Sequence, residues 1–345
     1  MIMKSAETSF KSTKTGIKQV AEEVGCSVST VSRILNNYSN FHVSQELRDK
    51  VADAVRRNNY TPHPILRTIK AKKTWMVSFL ERADYSYAMK NVFKRSFAIR
   101  MQEEGFQVGT NFLSNSEKGD YYPQWPVDGV ALADTFSVGE ISRLDTSGIP
   151  YVSINGIAGE NGVSIVPDEE SGIRLALDHL RRLGHSRIAY ADFIEWARPH
   201  FSIKEREVQY KRQMKEAGCS PVPACDNRSM DAVEYLKRTV LEHGATAVLC
   251  YNQFIAIRIL QAAWRLGINV PGKLSVICFG DEDPAKFMIP PLTCIALPAA
   301  EMGRLSGEIL SKMIRKEGDE FKGRTIKLPC SLASEESCAA LKERQ

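Results

Sequence analysis

No stretch of the 345 residues reaches the roughly 18 uncharged apolar residues needed to span a bilayer. The opening MIMKSAETSFKSTKTG has no apolar core of the kind that marks a secretory signal. No membrane association is expected, and the expected location is the cytoplasm. C-x-x-C is absent, and the eight cysteines show no paired metal spacing. Several sit in apolar runs such as AVLCY and SVICF, so they read as small buried residues of a reducing compartment rather than a zinc site or a disulfide frame. G-x-S-x-G, G-x-G-x-x-G, the P-loop and H-E-x-x-H are also missing. The carboxylate cluster Asp168, Glu169, Glu170 falls at a helix start, where acidic side chains favour the dipole, which is a simpler role than paired-carboxylate chemistry. Neither catalysis nor a cofactor nor a metal is expected.

With 43% hydrophobic, 8% aromatic and 25% charged residues, the chain has the composition of a globular protein. Its length suits two or three domains. Net charge is +5, but residues 1–73 hold 13 Lys or Arg against 6 Asp or Glu, a net of +7, whereas the rest holds 33 against 35. The basic excess is confined to one end, as a phosphate-binding module requires, although a solvated charged face gives the same count.

That basic end contains GIKQVAEEVGCSVSTVSRILNN, Gly16 to Asn37. Ile17, Val20, Ala21 and Val24 fall at i, i+3, i+4 and i+7, the stripe of a short amphipathic helix, and Gly25 stops it. Ser27 is a good N-cap for a second helix, Val28 to Asn36, with Val31 and Leu35 inward. Two such helices around a Gly-containing turn form a helix-turn-helix, with base contacts expected from the second, although any small helical hairpin has the same apolar spacing. Its exposed residues are Val28, Ser29, Ser32, Arg33 and Asn36. Arg33 suits a bidentate pair with guanine, Val28 a thymine methyl, and Ser27, Thr30 and Ser32 the phosphates. Ser44 caps a third helix whose inward face is Leu47, Val51 and Val55.

VAEEVGCSVSTVSRILN, followed by NFHVS, LRDKV and NNYTPHP, closely resembles the amino-terminal domain of the lactose-repressor family of bacterial transcription regulators. The resemblance implies that Val28, Ser29 and Arg33 read bases and that His42 lies close to DNA. It also implies that the basic, proline-bounded TPHPILRTIKAKK is a hinge that becomes helical on DNA, with Ile69 as the apolar wedge in the minor groove.

From Trp75 onward, β-type and α-type runs alternate, which argues for parallel sheets with helices on both faces; roughly 270 residues are too many for one such sheet. Here VDGVAL, GIPYVSIN, DEESGIRLALDHLRRLGHSRIAY and TAVLCYNQFIAIRILQAAWRLGINVPGKLSVICFGDED follow the family's effector domain. The resemblance implies a two-lobed, periplasmic-binding-protein-like fold crossed three times, near Pro167, Thr293 to Leu297, and Phe321 to Thr325. The expected organisation is a mobile basic arm (1–15), a helix-turn-helix domain (16–62), a hinge (63–73) and an effector and dimerisation domain (74–345). Its first lobe would hold about 74–167 and 297–322, its second about 168–294 and 325–345.

By the same resemblance, Asn155, Arg206, Asn252 and Asp281 line an effector cleft, and Trp196, with Phe193, sits in a loop that could supply a stacking wall. The residues alone leave other roles open: Arg206 could pair with Glu205 or Glu207 on a solvated helix, and a loop aromatic is more often packing. The chain departs from the family at Gly280, usually Asp, at Gln253, also usually Asp, and at Glu335, usually Arg. SNSEKGDYYPQWP is shortened and proline-interrupted, so one lobe is expected to lack a helix there. The expected function is sequence-specific transcription regulation, as a homodimeric repressor on a pseudo-palindromic double-stranded DNA operator, modulated by a carbohydrate-like effector. The alternatives are an effector-independent or partner-controlled regulator, and a ligand-binding protein with a vestigial DNA-binding domain.

Overall fold

The structure, a computed structural model, describes residues 16–35, 41–58, 60, 73–82, 88–113, 126–193, 200–219, 222, 230–281, 283–333 and 335–341. The arm 1–15, Asn36, hinge residues 63–72 with Ile69, the shortened segment 114–125 and Trp196 lie outside the described residues. Contacts divide the chain into two units, with the boundary between Thr74 and Trp75.

In the first unit, α1 (Ile17–Val24) ends at Gly25, whose left-handed φ of 71° lets its N–H turn back to the carbonyls of Ala21 and Glu22. Helix α2 (Val28–Leu35) begins at Ser27, whose Oγ accepts the Thr30 backbone N–H at 3.0 Å. Helix α3 (Gln45–Arg57) is capped by Ser44. Val20, Ala21, Val31, Ile34, Val51 and Ala54 form the core. Two expected positions shift. Ile34 is buried and Leu35 only partly so; in α3, Ala54 is buried with Val51 while Leu47 and Val55 flank them. Short helices crossing one another bury a narrow strip, and the small Ala54 allows close approach. Arg57 and Asn58 hold Glu23, tying α3 to α1.

Among the described residues, the second unit holds two sheets. The first contains β1 (Met76–Arg82), β2 (Gln107–Leu113), β3 (Gly129–Ala133), β4 (Tyr151–Ile154), β5 (Gly162–Pro167) and β10 (Thr325–Leu328), ordered β10-β5-β4-β3-β1-β2 and parallel throughout. The second contains β6 (Ile188–Ala191), β7 (Ala247–Cys250), β8 (Ser275–Phe279), β9 (Thr293–Ala296) and β11 (Ser331–Ala333), ordered β11-β9-β8-β7-β6, with only β11 antiparallel. Strands β3 to β8 are buried along their whole length, as parallel strands covered on both faces must be.

Helices α4 (Ala88–Glu103) and α5 (Val138–Ser147) belong with the first sheet. Helices α6 (Glu169–Arg182), α7 (Phe201–Glu216), α8 (Ala232–Leu236, continued by one π turn), α9 (Gln253–Arg265) and the short α10 (Asp283–Lys286) belong with the second. Helix α11 (Ala299–Ile314) returns to the first sheet and lies against α4 so closely that a Cβ on Gly303 would stand 2.1 Å from the Phe93 carbonyl oxygen. The chain thus passes between sheets after β5, after β9 and after β10. The third crossing lies beyond Leu328, later than the sequence led us to expect. Residues 325–328 pair with Ser164 to Pro167 and belong to the first lobe, not the second. Alternation of β and α elements cannot say which of two sheets a short terminal strand joins.

Candidate functional site

Helix α2 presents Ser27, Val28, Ser29 and Arg33 to solvent, while Thr30 and Ser32 are half-buried. Val28 is 39% exposed although apolar. Ser27 Oγ also lies 2.9 Å from Thr30 Oγ1, so both hydroxyls serve the start of the helix. The Arg33 guanidinium lies over the Phe41 ring, 5.2 Å from its centroid, which restrains the side chain without using its donors. His42 is exposed beside Phe41. One face of one helix therefore carries a planar cation, a methyl-bearing side chain and small hydroxyls, a set fit for base edges and phosphates.

In the second unit, polar residues gather where parallel strands end. Asp134 follows β3, Asn155 β4, Asp168 and Glu169 β5, Asp192 β6, Tyr251 and Asn252 β7, and Gly280 and Asp281 β8. Open parallel sheets bind ligands beyond these carboxyl ends.

From the first lobe, Asn155 adopts a left-handed φ of 58°, a conformation Asn tolerates better than most residues. Its Nδ2 donates to Asp134 Oδ1 at 2.8 Å, and Lys90, buried, lies 2.9 Å from Asp134 Oδ2. From the second lobe, Arg206 of α7 is 4% exposed and Glu169 3%. Arg206 Nε and Nη2 donate to the two oxygens of Glu169 at 2.6 and 2.9 Å, and Nη1 donates to the Tyr251 carbonyl at 2.6 Å. The guanidinium carbon lies 3.9 Å from the Phe279 ring centroid and 4.8 Å from that of Tyr251. Burial works against the charge of Arg206, but the Glu169 carboxylate outweighs it and holds the guanidinium pKa above its ordinary value. Arg206 thus pairs with neither of its sequence neighbours. Glu205 takes Gln209 and Glu207 takes Lys211.

His200, the N-cap of α7, joins the lobes. Its Nε2 lies 2.6 Å from the Asn155 carbonyl and its Nδ1 2.7 Å from Ser202 Oγ, which in turn lies 2.9 Å from Tyr251 Oη. A carbonyl only accepts, so Nε2 carries the proton and Nδ1 accepts from Ser202. His200 is half-buried, and burial lowers its pKa.

Of the residues expected at the cleft, Asn155 and Arg206 stand within this network. Asn252 has a structural task, capping α9 through an Oδ1 that accepts the Ile255 N–H at 3.0 Å. Asp281 is half-buried after β8. Gly280 has φ +92°, a backbone that glycine adopts without strain. Phe193 is no exposed wall: it is 3% exposed and packs on Tyr235 at 5.3 Å. Sequence reasoning missed Glu169, assigned only to the helix dipole, and also His200 and Tyr190, and it read Gln253 only as a departure from the family. Glu169 was findable as a strand-end position, directly after β5. Asp168 alone caps α6, leaving Glu169 free to turn inward.

Among the described residues, no helix is long and apolar enough to cross a membrane. Nor does any group of three or more His, Cys, Asp or Glu there stand ready to hold a metal ion.

A helix-turn-helix unit joined to two parallel-sheet lobes defines a DNA-binding regulator with a ligand-binding-type domain. Residues 16–63 match the model for bacterial regulatory proteins of the lacI family, and residues 177–338 that for a periplasmic binding protein-like domain. The chain is 30% identical to the HTH-type transcriptional regulator DegA of Bacillus subtilis, over 84% of this chain and 88% of that one. It is 26% identical to the ribose operon repressor of Halalkalibacterium halodurans, over 88% and 91%. The lac repressor dimer bound to operator and an anti-inducer shares the fold, with a TM-score of 0.75 at 21% identity, over 95% of this chain and 100% of that one. The chain belongs to the lacI family of bacterial regulatory proteins.

Proposed function

We propose that this protein is a repressor that binds a pseudo-palindromic operator as a homodimer and responds to a small, carbohydrate-like effector held between its lobes. The observation that carries the reading is the outward face of α2, with Val28, Ser29 and Arg33 exposed on a helix fixed by the Ser27 cap and by buried Val31 and Ile34. One three-helix unit offers too few base contacts for useful affinity, and two-fold pairing doubles them. Phe287 and Ile289, 77% and 95% exposed, supply apolar surface that a second copy would cover. His42 close to DNA, Ile69 as the wedge, and Asn36 complete the expected DNA contacts. Asn155, Arg206, Asn252, Asp281 and Trp196 are the residues assigned to the effector cleft. An effector that prefers one angle between the lobes would shift the population between DNA-competent and incompetent forms.

Selection from a pool of random duplexes tests the reading. Recovery of an inverted repeat supports a dimer reading two half-sites, and recovery of sequences without two-fold symmetry contradicts it.

A further inference from the structure

An arginine in a cleft ordinarily invites an anion, because its rigid fork of donors matches a carboxylate or a phosphate. The fork of Arg206 is already closed. Glu169 takes Nε and Nη2, the Tyr251 carbonyl takes Nη1, and the Phe279 and Tyr251 rings lie against the guanidinium. Glu169 is held in place by its position at the head of α6, next to the capping Asp168, and both partners are almost fully buried. An incoming anion would have to displace one buried carboxylate and then remain beside it. The buried Glu169 carboxylate would repel a second anion placed beside it.

The same end of the second lobe holds polar atoms of another kind. Tyr190 Oη and Gln253 Oε1 are buried and have no hydrogen-bond partner among the described residues. Tyr190 lies in β6 with its ring stacked on Tyr210 at 5.2 Å, close enough to feel the charges of Arg206 and Glu169. Gln253 follows Asn252 at the start of α9. A phenol donates and accepts, and an amide oxygen only accepts; a ligand hydroxyl satisfies either, whereas an anion has no proton to give the Gln253 oxygen. Leaving such groups unpaired is costly, which favours a ligand that meets them.

We propose that Glu169 sets the ligand class of the cleft: by filling the Arg206 fork it excludes sugar phosphates and sugar acids and leaves a site for a neutral polyhydroxylated molecule, met by Tyr190 and Gln253. This inference rests on the reading of the cleft as an effector site, but its core claim, the blocking role of Glu169, stands or falls separately.

The full chain and its Glu169→Gln variant are titrated calorimetrically with glucose 6-phosphate and gluconate, and with glucose and ribitol as neutral probes. The substitution keeps the shape of the side chain and removes its charge. The expected result is no anion binding by the native chain and a gain of at least about tenfold in anion affinity in the variant, abolished by adding Arg206→Met. Anion binding by the native chain as strong as by the variant, or no gain in the variant, overturns the proposal. A gain in the variant with no neutral probe bound by the native chain upholds the block by Glu169 and counts against the carbohydrate-like effector. Should the variant fail to fold, nitrogen NMR of the native chain decides. The Arg206 Nε–H signal, assigned by its loss in Arg206→Lys, must exchange slowly and ignore added inorganic phosphate; rapid exchange or a phosphate-induced shift overturns the proposal.

Discussion

His200 donates from Nε2 to the carbonyl of Asn155 at 2.6 Å, so an imidazole of the second lobe is bonded to the backbone of the first. The contact has a pH signature. Burial lowers the His200 pKa below its ordinary 6.5, opposed by Asp134, the Asn155 carbonyl and Glu169 and reinforced by Arg206. Burial likewise lowers His185 and His179. A lowered folded-state value means that, below about pH 6.5, the unfolded chain binds protons that the folded chain does not, so stability falls with pH. Each histidine contributes at most about 1.4 kcal/mol per pH unit. The melting temperature should fall between pH 7.5 and 5.5, and His200→Gln should make that fall shallower; an unchanged slope would show that the ring is not held neutral.

The Arg206–Glu169 pair should behave as one unit. Removing either partner strands a buried charge, so Glu169→Met and Arg206→Met should each cost about 3–5 kcal/mol. The double variant should cost much less than the sum, because an apolar pair of similar volume leaves no charge behind. Denaturant titration of the four proteins checks this, and additive losses would mean that the two side chains do not depend on each other.

Ser27 separates folding from DNA binding. Its Oγ caps α2, so Ser27→Ala should destabilise the first unit by about 0.5–2 kcal/mol. Ser27→Asp restores a good cap while placing a negative charge where phosphates are expected. The aspartate variant should melt like the native protein and yet bind duplex DNA more weakly; native-like DNA affinity would place Ser27 away from the backbone.

Phe287 and Ile289 bear on assembly. Charged replacements at both should leave the melting of the isolated subunit unchanged, since neither side chain is buried, and weaken self-association by about tenfold or more. Sedimentation across a concentration series measures this, and an unaltered dimer would remove the pair from the interface.

The three helices of the first unit are legible in the chain because caps and apolar spacing there agree, with Ser27, Gly25 and Ser44 marking ends that the hydrogen bonds bear out. Buried parallel strands such as Val130 to Ala133 stand out as unbroken apolar runs. The lobe membership of β10 does not, since Thr325 to Leu328 is short, half polar and fixed only by its pairing with β5. The partner of Arg206 was equally hidden. Glu205 and Glu207 adjoin it in sequence, but helix geometry turns them toward Gln209 and Lys211, whereas Glu169 arrives from 37 positions away. Local spacing predicts contacts within an element, and strand-end clusters arise only once the sheet order is known.

The most direct measurement compares the native chain with Arg33→Ala on a duplex recovered by selection and on random duplex of equal length and salt. Reading of guanine by Arg33 predicts that the variant loses about 1–3 kcal/mol of preference per contact on the selected site, with little change on random DNA. A preference that survives intact would contradict base reading by α2.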